Sequence, residues 1–267
     1  MIRMTVCGAA GRMGSRVIAL SKDYPEIKLT GAVEAKGHSK LGQDAGIVAG
    51  VGQLNVKIVD DLEKVIDDTD IVVNFTNPEA TLEHLEIIKK YKKSAVIGTT
   101  GFSNEQIKVI QQAAKDIPVV LSPNMSVGVN LLFKVLKDIA VVLGDDYDVE
   151  IIEAHHRMKK DAPSGTAIKM AKVIADALGR DFDEVAVYTR KGMIGERTKK
   201  EIGIQTVRAG DIVGEHTIIF GGLGERIEIV HKASSRDTFA RGALKAVIWL
   251  SGKPAGLYEM ADVLGIK

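Results

Sequence analysis

The sequence predicts an α/β protein, in which a Rossmann-like doubly wound parallel sheet is joined to a second α+β domain with a mixed, open sheet. Two observations support this prediction. Short β-branched runs alternate with amphipathic stretches in the first half of the chain, as a helix-covered parallel sheet requires. After Gly144 the predicted strands change character, and the segment ERIEIVHK alternates apolar with polar residues, which is typical of a sheet with one packed face.

The first half of the chain is predicted to alternate strands and helices up to about residue 123. The segment DIVVNF (70–75) is apolar on both sides of the pleat, as a buried central strand is. The predicted strands are 2–8, 28–35, 70–76, 94–101 and 117–123, and the predicted helices are 15–24, 81–91 and 104–116.

The second half begins with a long helix, which we predict from a cap at Ser126 to a stop at Gly144. The four strands that follow are 147–156, 202–211, 215–222 and 225–234, and GGLGE (221–225) forms a hairpin turn between the last two. The tail after residue 239 returns to helical periodicity. Because the alternating strand leaves one face uncovered, we expect homo-oligomerisation.

Composition and charge exclude several classes of protein. The formal net charge is +1 and aromatic residues make up 4%, which argues against a nucleic-acid binder. The single cysteine, Cys7, excludes an intramolecular disulfide and fits a reducing compartment. With no signal-peptide pattern and no apolar run of membrane-spanning length, we expect a soluble, cytoplasmic protein without a membrane partner.

A glycine-rich turn after the first strand predicts a dinucleotide site. Gly11 and Gly14 match the last two glycines of GxGxxG, Ala9 replaces the first, and Gly8 precedes it. Such a turn lets backbone N–H groups approach a pyrophosphate at a helix N-terminus. Glu34 lies 20 residues beyond Gly14, where an acidic residue holds the adenosine ribose. The alternative is a tight turn with a solvated acid.

The residues around Glu34 bear on the choice of nicotinamide cofactor. A carboxylate at Glu34 repels a 2′-phosphate, whereas Lys36 and His38 offset that repulsion. We therefore expect NADH to be used and NADPH to be tolerated. The loops GTTG (98–101) and NFTNP (74–78) end inner strands and are expected to flank the nicotinamide, although ordinary strand-to-helix turns explain them as well.

A second candidate site lies in EAHHRMKKDAPSGTA (153–167). A strand runs into two adjacent histidines and two lysines, and a helix then begins near Ser164 and stops at Gly179. Free N–H groups at that helix start suit a carboxylate or phosphate, and histidine can transfer a proton near neutral pH. We interpret the stretch as a site for an anionic substrate that receives a proton. A solvated basic loop is the alternative, and no metal site is expected, because no carboxylate or thiol stands at usual ligand spacing.

Six segments of the chain closely resemble the 4-hydroxy-tetrahydrodipicolinate reductase family, also called dihydrodipicolinate reductase. The block HHRxKxDAPSGTA is highly specific to that family, whereas the glycine loop alone is not. In order over nearly the whole chain, the segments are GAAGRMG, GTTGF, SPNMSVGVN, EAHHRMKKDAPSGTA, TVRAGDIVGEHT and HKASSRDTFARGA.

The resemblance implies a cytoplasmic homotetramer of the diaminopimelate route to lysine, which reduces a cyclic dicarboxylate imine with NADH or NADPH and loses water. By matching positions, His155 is a proton donor and acceptor, Lys159 is a proton donor, and His156, Gly165 and Thr166 contact the substrate. The implied cofactor contacts are Gly8, Ala9, Ala10, Gly11, Arg12, Met13, Glu34, Gly98, Thr99, Thr100, Ser122, Pro123, Asn124 and Met125.

The family fold also implies the domain boundaries. Because it returns the C-terminal helix to the nucleotide domain, we expect residues 1–126 and 236–267 to form the dinucleotide-binding domain. Residues 127–235 then form the substrate-binding and oligomerisation domain, whose sheets pack together across subunits. One departure is Ala35, where some relatives carry an arginine after the acidic residue, which disfavours strong NADPH use.

Two rival functions deserve comparison. A semialdehyde dehydrogenase needs a cysteine nucleophile, and Cys7 lies in the first strand, so that hypothesis fails. A non-catalytic NAD(H)-binding sensor or regulator would need no proton donors beside an anion site. Substituting His155 or Lys159 would leave such a sensor unchanged.

Overall fold

The computed structural model describes residues 1–266, which divide into two compact units. Unit 1 is Met1–Val127 together with the chain from Arg236 onward, and unit 2 is Gly128–Ser235. The strands are β1 (Ile2–Cys7), β2 (Ile27–Val33), β3 (Ile58–Val59), β4 (Ile71–Asn74), β5 (Ser94–Ile97), β6 (Pro118–Leu121), β7 (Asp148–His155), β8 (Ala186–Val187), β9 (Ile202–Arg208), β10 (Gly214–Gly221), β11 (Arg226–Ala233) and β12 (Gly256–Tyr258). The helices are α1 (Gly14–Ser21), α2 (Ala45–Val48), α3 (Pro78–Lys90), α4 (Asn104–Ala113), α5 (Val127–Leu143), α6 (Gly165–Ala177), α7 (Phe182–Val185), α8 (Asp237–Leu250) and α9 (Met260–Leu264), with 3₁₀ turns at Leu62–Lys64, Ile66–Asp68 and Gly144–Asp146.

Unit 1 is a doubly wound parallel sheet in the order β12-β6-β5-β4-β1-β2-β3. Alternate residues of each strand enter different cores, because successive side chains of a strand point to opposite faces. Met4 and Val6 pack with α1 and α8, whereas Cys7 packs with α3 and α4. The predicted Rossmann-like α/β class is confirmed.

Several elements of unit 1 differ from the sequence prediction, and the short elements α2 and β3 were not predicted. Helix α1 ends at Ser21, three residues before the predicted Tyr24. The tail was predicted to be helical, but β12 pairs with β6 and adds a seventh strand to the sheet. A strand of three residues is too short to show a period of two, so the pattern in the sequence could not reveal it.

Unit 2 is a mixed sheet in the order β11-β10-β7-β9-β8, in which β7 runs parallel to β9 and antiparallel to β10. The helices α5 and α6 pack on one face, against Val149 and Ile151 of β7. The opposite face carries apolar side chains that are partly exposed in the single chain, namely Ile152, Val207 and Val230. The predicted second, mixed sheet is therefore confirmed.

Candidate active site

The glycine loop of unit 1 joins β1 to α1 through a turn that only small residues allow. Gly8 has a φ of +78°, and a Cβ built there would lie 2.4 Å from the carbonyl oxygen of Phe75. A Cβ on Gly14 would lie 2.1 Å from the carbonyl oxygen of Gly8. The loop can therefore fold back on itself because Gly8 and Gly14 have no side chains.

Backbone N–H groups of this loop divide into bonded and free donors. Those of Gly8 and Ala9 donate to the carbonyl of Val33, and that of Ala10 donates to Oε2 of Glu34 at 3.0 Å. Helix α1 lacks a side-chain cap, and within residues 1–266 we find no partner for the N–H groups of Arg12 and Met13. Free donors at a helix start form a site for an anionic group.

A cleft of about 630 Å³ opens beside the loop. Of the predicted cofactor contacts it brings together Gly8, Gly11 and Glu34, and Lys36 also lines it, whereas His38 does not. Phe75, Thr76 and Asn77 of the predicted loop 74–78 and Ala35 also line it, and the lining residues that sequence reasoning missed are Val33, Asp60, Ala80, Glu83 and His84. His84 lies on α3, and its Nδ1 is 2.9 Å from Oδ1 of Asn74.

The loops after β4 and β5 meet at the same edge of the sheet. The Thr76 N–H donates to the hydroxyl of Thr99 at 3.1 Å, and this hydroxyl is 2.8 Å from that of Thr81. Gly98 lies against the ring of Phe75, where a Cβ would be 2.1 Å from Cε1. The predicted contacts Gly98, Thr99 and Thr100 thus belong to the strand-end loops, although they do not line the cleft.

The remaining predicted cofactor contacts follow β6. The Ser122 N–H donates to the carbonyl of Ile97, which holds this loop next to the one after β5. Met125 is buried in the core with α8. Ser122, Pro123, Asn124 and Met125 therefore lie at the carboxyl edge of the parallel sheet, where ligands of open α/β sheets bind, but they do not line the cleft.

The second candidate site lies where β7 ends in unit 2. His155 is the last residue of the strand, and its Nδ1 is 2.6 Å from Oε2 of Glu153. The side chain of Glu153 is fully buried. A carboxylate only accepts hydrogen bonds, so Nδ1 of His155 carries a proton and donates a hydrogen bond to Glu153.

Glu153 is the centre of a buried hydrogen-bond network. Arg208 of β9 donates to both carboxylate oxygens at 2.8 Å, and the Ser164 N–H donates to Oε1 at 2.9 Å. Burial alone would raise the pKa of Glu153, but the hydrogen bonds from His155, Arg208 and Ser164 outweigh it and hold the pKa at about 2. Glu153 is therefore ionised at neutral pH.

The loop after His155 carries the predicted lysine and returns to α6. Lys159 forms an ion pair with Asp161 at 2.9 Å, and its N–H donates to the carbonyl of His156 at 3.0 Å. Helix α6 begins next to Ser164 as predicted, and the Ser164 hydroxyl caps it by accepting the Ala167 N–H. The predicted substrate contacts occupy two places: Gly165 and Thr166 form the first turn of α6, and His156 follows β7.

A further buried histidine, His216 of β10, lies beside this pair. Its ring centroid is 5.4 Å from that of His155, and its Nε2 is 3.3 Å from the Ser164 hydroxyl. Burial, reinforced by neighbouring positive charge, lowers the pKa of His216 to about 4. His216 is therefore neutral at physiological pH and places no second positive charge beside His155.

Sequence reasoning missed Glu153, Arg208 and His216. Glu153 and His155 stand two residues apart on a strand and so share a face, which is a signal that the sequence does contain. Arg208 and His216 reach them only through strand register, which pairs His155 with Arg208 and Glu153 with His216. In the described part of the chain, His, Cys, Asp and Glu form no group of three suited to a metal ion.

Comparison with known proteins identifies the family. A model described as dihydrodipicolinate reductase, N-terminus, matches residues 2–125, and one described as dihydrodipicolinate reductase, C-terminus, matches residues 128–264. Over 267 residues and 100% of both chains, the sequence is 57% identical to a 4-hydroxy-tetrahydrodipicolinate reductase of Geotalea daltonii and 58% identical to one of Trichlorobacter lovleyi.

Solved structures agree with that assignment. A dipicolinate-bound dihydrodipicolinate reductase from Paenisporosarcina sp. TG-14 superposes with a TM-score of 0.75 at 25% identity, over 98% of each chain. An amine dehydrogenase from Mycobacterium smegmatis, at 17% identity and a TM-score of 0.57 over 96% of this chain and 94% of its own, shares the fold alone. Two family models covering nearly all residues, and relatives aligned from end to end, show that this chain belongs to the dihydrodipicolinate reductase family.

Proposed function

We propose that the chain catalyses the reduction of (S)-4-hydroxy-2,3,4,5-tetrahydrodipicolinate to tetrahydrodipicolinate, with NADH or NADPH as reductant and loss of water. The reaction belongs to the diaminopimelate route to lysine. The observation that carries the proposal is the His155–Glu153 pair beside the start of α6, in a chain of this family. A proton donor next to an anion-binding helix terminus is what reduction of an anionic imine needs.

The residues of unit 1 fit a nicotinamide dinucleotide, the cofactor that the family and the fold imply. The small residues of the loop Gly8–Met13 leave room for a pyrophosphate, and the N–H groups of Arg12 and Met13 would donate hydrogen bonds to it. Glu34 would hold the adenosine ribose. The loops Gly98–Thr100 and Ser122–Met125 would support the nicotinamide, which supplies the hydride when the cofactor is bound.

For the choice between the cofactors, we expect NADH to be used and NADPH to be tolerated. Glu34 lines the cleft, and its carboxylate would repel a 2′-phosphate. Lys36 lines the same cleft and offsets part of that repulsion. Ala35 supplies no guanidinium to hold a phosphate, so NADPH gains no specific contact.

The substrate is a cyclic dicarboxylate, and unit 2 offers donors for its two carboxylates. The relative from Paenisporosarcina sp. TG-14 binds dipicolinate, an aromatic dicarboxylate of the same skeleton. Here, Gly165 and Thr166 would bind one carboxylate at the N-terminus of α6, and His156 would contact the substrate from the loop after β7. A Cβ on Gly165 would meet no atom within 4 Å, so the space above this helix start is open.

The proton that balances the reaction comes from unit 2. Loss of water from the 4-hydroxy substrate leaves a carbon–carbon double bond conjugated with the imine. Hydride addition to this electron-poor ring carbon would leave an electron-rich, enamine-like ring, and one proton completes the reduction. His155 carries that proton on Nε2, because its Nδ1–H is committed to Glu153. Lys159, whose side chain is 20% exposed, is a second donor on the same loop and would keep the site protonated.

We also propose that the working form is a cytoplasmic homotetramer. The face of the unit 2 sheet opposite α5 and α6 exposes Ile152, Val207 and Val230 to between 37% and 50%. Apolar side chains exposed together on one sheet face are typical of a surface that another subunit covers. As for membrane association, none of the helices formed by residues 1–266 is long and apolar enough to cross a bilayer.

Two substitutions test the proposed roles. We expect His155→Gln and Lys159→Ala to lower turnover about 100-fold or more, because each removes a proton donor. NADH binding, which depends on unit 1, should stay within about twofold as measured by NADH fluorescence. Normal turnover by either variant would refute its assigned role, and NADH binding by the wild-type protein without any turnover would favour the sensor hypothesis.

A further inference from the structure

We infer that Glu153 is the positioning residue of the active site, which fixes the orientation and the tautomer of His155. The inference rests on the proposed role of His155 as proton donor. The inference goes beyond that role by assigning a function to Glu153, whose side chain is fully buried.

The two carboxylate oxygens of Glu153 accept hydrogen bonds from different partners. Oε2 accepts from Nδ1 of His155 at 2.6 Å, and Oε1 accepts from the Ser164 N–H at 2.9 Å. One fully buried side chain thereby joins the end of β7 to the start of α6. The proton donor and the helix N-terminus proposed for the substrate are thus held by the same carboxylate.

Arg208 fixes the carboxylate in place. Its two terminal nitrogens each donate to one oxygen of Glu153 at 2.8 Å, and one of them also donates to the carbonyl of Asp161 at 2.7 Å. A bidentate pair of this kind has one preferred geometry. Because Asp161 also pairs with Lys159, Arg208 connects Glu153 to the loop that carries the second proton donor.

The ring of His155 is confined on its other sides by β10. A Cβ on Gly214 would lie 3.1 Å from Nε2 of His155, so a side chain at this position would crowd that nitrogen. The His216 ring meets the His155 ring edge to face, with the planes at 77°. With Nδ1 bound to Glu153, Nε2 is the nitrogen that exchanges the catalytic proton, as in other histidines oriented by a carboxylate.

Glu153→Gln tests this inference, because the amide keeps the size of the side chain and removes its charge. We expect the turnover number to fall about 10- to 100-fold, as it does when a supporting hydrogen bond to a functional histidine is lost. The charged and titratable groups around Glu153 are His155, Lys159, Asp161, Arg208 and His216, none of which is altered.

The control is Glu150→Gln, which is the same substitution three residues earlier on β7. Glu150 pairs with Arg190 at 2.7 Å and Arg197 at 3.2 Å, on the opposite face of the strand from His155. This variant should keep normal turnover. Equal losses in both variants would show that Glu153 acts through general stability, which would overturn the inference.

A double-mutant comparison separates failure of this inference from failure of the proposed function. If Glu153 acts through His155, Glu153→Gln should change turnover by less than about twofold when His155→Gln is already present. The same fractional loss in both backgrounds would overturn the positioning role and leave His155 as donor. Normal turnover by His155→Gln alone would instead refute the donor role of His155, and no turnover by the wild-type chain would refute the proposed function.

Nitrogen NMR of the histidine rings gives a measurement that does not depend on activity. The His155 resonances are identified by their absence in His155→Gln. We expect a protonated Nδ1 and an unprotonated Nε2 in the neutral wild-type ring, and a mixture of tautomers in Glu153→Gln. A single, unchanged tautomer in a folded Glu153→Gln protein would contradict the inference.

Discussion

Gly14→Ala should weaken NADH binding, because the new methyl group collides with the loop that forms the cofactor site. Its Cβ would lie 2.1 Å from the Gly8 carbonyl oxygen and 2.7 Å from the carbonyl carbon, whereas ordinary contacts begin near 3.4 Å. The obstacle is backbone, so the loop must move by about an ångström. The φ of Gly14 lies outside the left-handed region, so the effect is steric.

The size of the effect follows from the strain. Overpacking of this kind costs about 1–3 kcal/mol, and if the bound loop must regain its original geometry, that cost appears in binding. Since about 1.4 kcal/mol corresponds to a factor of ten, the dissociation constant for NADH should rise about 5- to 150-fold. Titration of NADH fluorescence measures it, and circular dichroism confirms that the variant is folded.

Two further glycine substitutions calibrate the result. Gly11→Ala places its Cβ 3.1 Å from the Gly8 carbonyl oxygen, so we expect a smaller loss of affinity. Gly221→Ala, in unit 2, meets no atom within 4 Å and should leave NADH binding unchanged. If folded Gly14→Ala binds NADH as tightly as Gly221→Ala does, the loop is not the cofactor cradle and the reasoning is wrong.

Three other predictions follow from the same structure. Ala35→Arg should raise the ratio of kcat/KM for NADPH to that for NADH about tenfold, because a guanidinium binds a 2′-phosphate; an unchanged ratio in absorbance assays would contradict this. The pKa of Glu153 is lowered from 4.5 to about 2. The ionised carboxylate therefore makes its full contribution to the free energy of unfolding above about pH 5, and this contribution is lost as the pH falls towards 2. In urea unfolding, the loss of unfolding free energy caused by Glu153→Gln should be roughly 3 kcal/mol smaller near pH 2 than near pH 6. A difference between wild type and variant that does not change with pH would contradict the lowered pKa. Val230→Asp should reduce the molar mass in light scattering without unfolding the chain, because Val230 is half-exposed on the uncovered sheet face; an intact tetramer would exclude that face.

Much of the fold was predictable, because its signals are local. Strands such as Ile71–Asn74 are continuous apolar runs, and α6 has both a serine cap at Ser164 and a glycine with a φ of +65° at Gly179. The glycine loop was predictable because backbone geometry at Gly8 and Gly14 tolerates no side chain. Each of these features depends on residues close together in sequence.

The rest depends on contacts between distant segments. Arg208 reaches Glu153 across 55 residues, through the parallel register of β7 and β9, and no local pattern specifies that register. The cleft in unit 1 gathers His84 from α3 and Asp60 from the loop after β3, which their own segments do not indicate. The sequence showed which residues can do chemistry, whereas the structure showed which residues hold them.

The central claim is that the chain transfers a hydride to a cyclic imine and completes the reduction with a proton and loss of water. The most direct test is mass spectrometry of the product formed from (S)-4-hydroxy-tetrahydrodipicolinate with NADH deuterated at both C4 positions. We predict a product that has lost one oxygen atom and gained one deuterium, formed in equal amount to the NADH consumed. A product without deuterium, or oxidation of NADH without loss of the oxygen, would contradict the account.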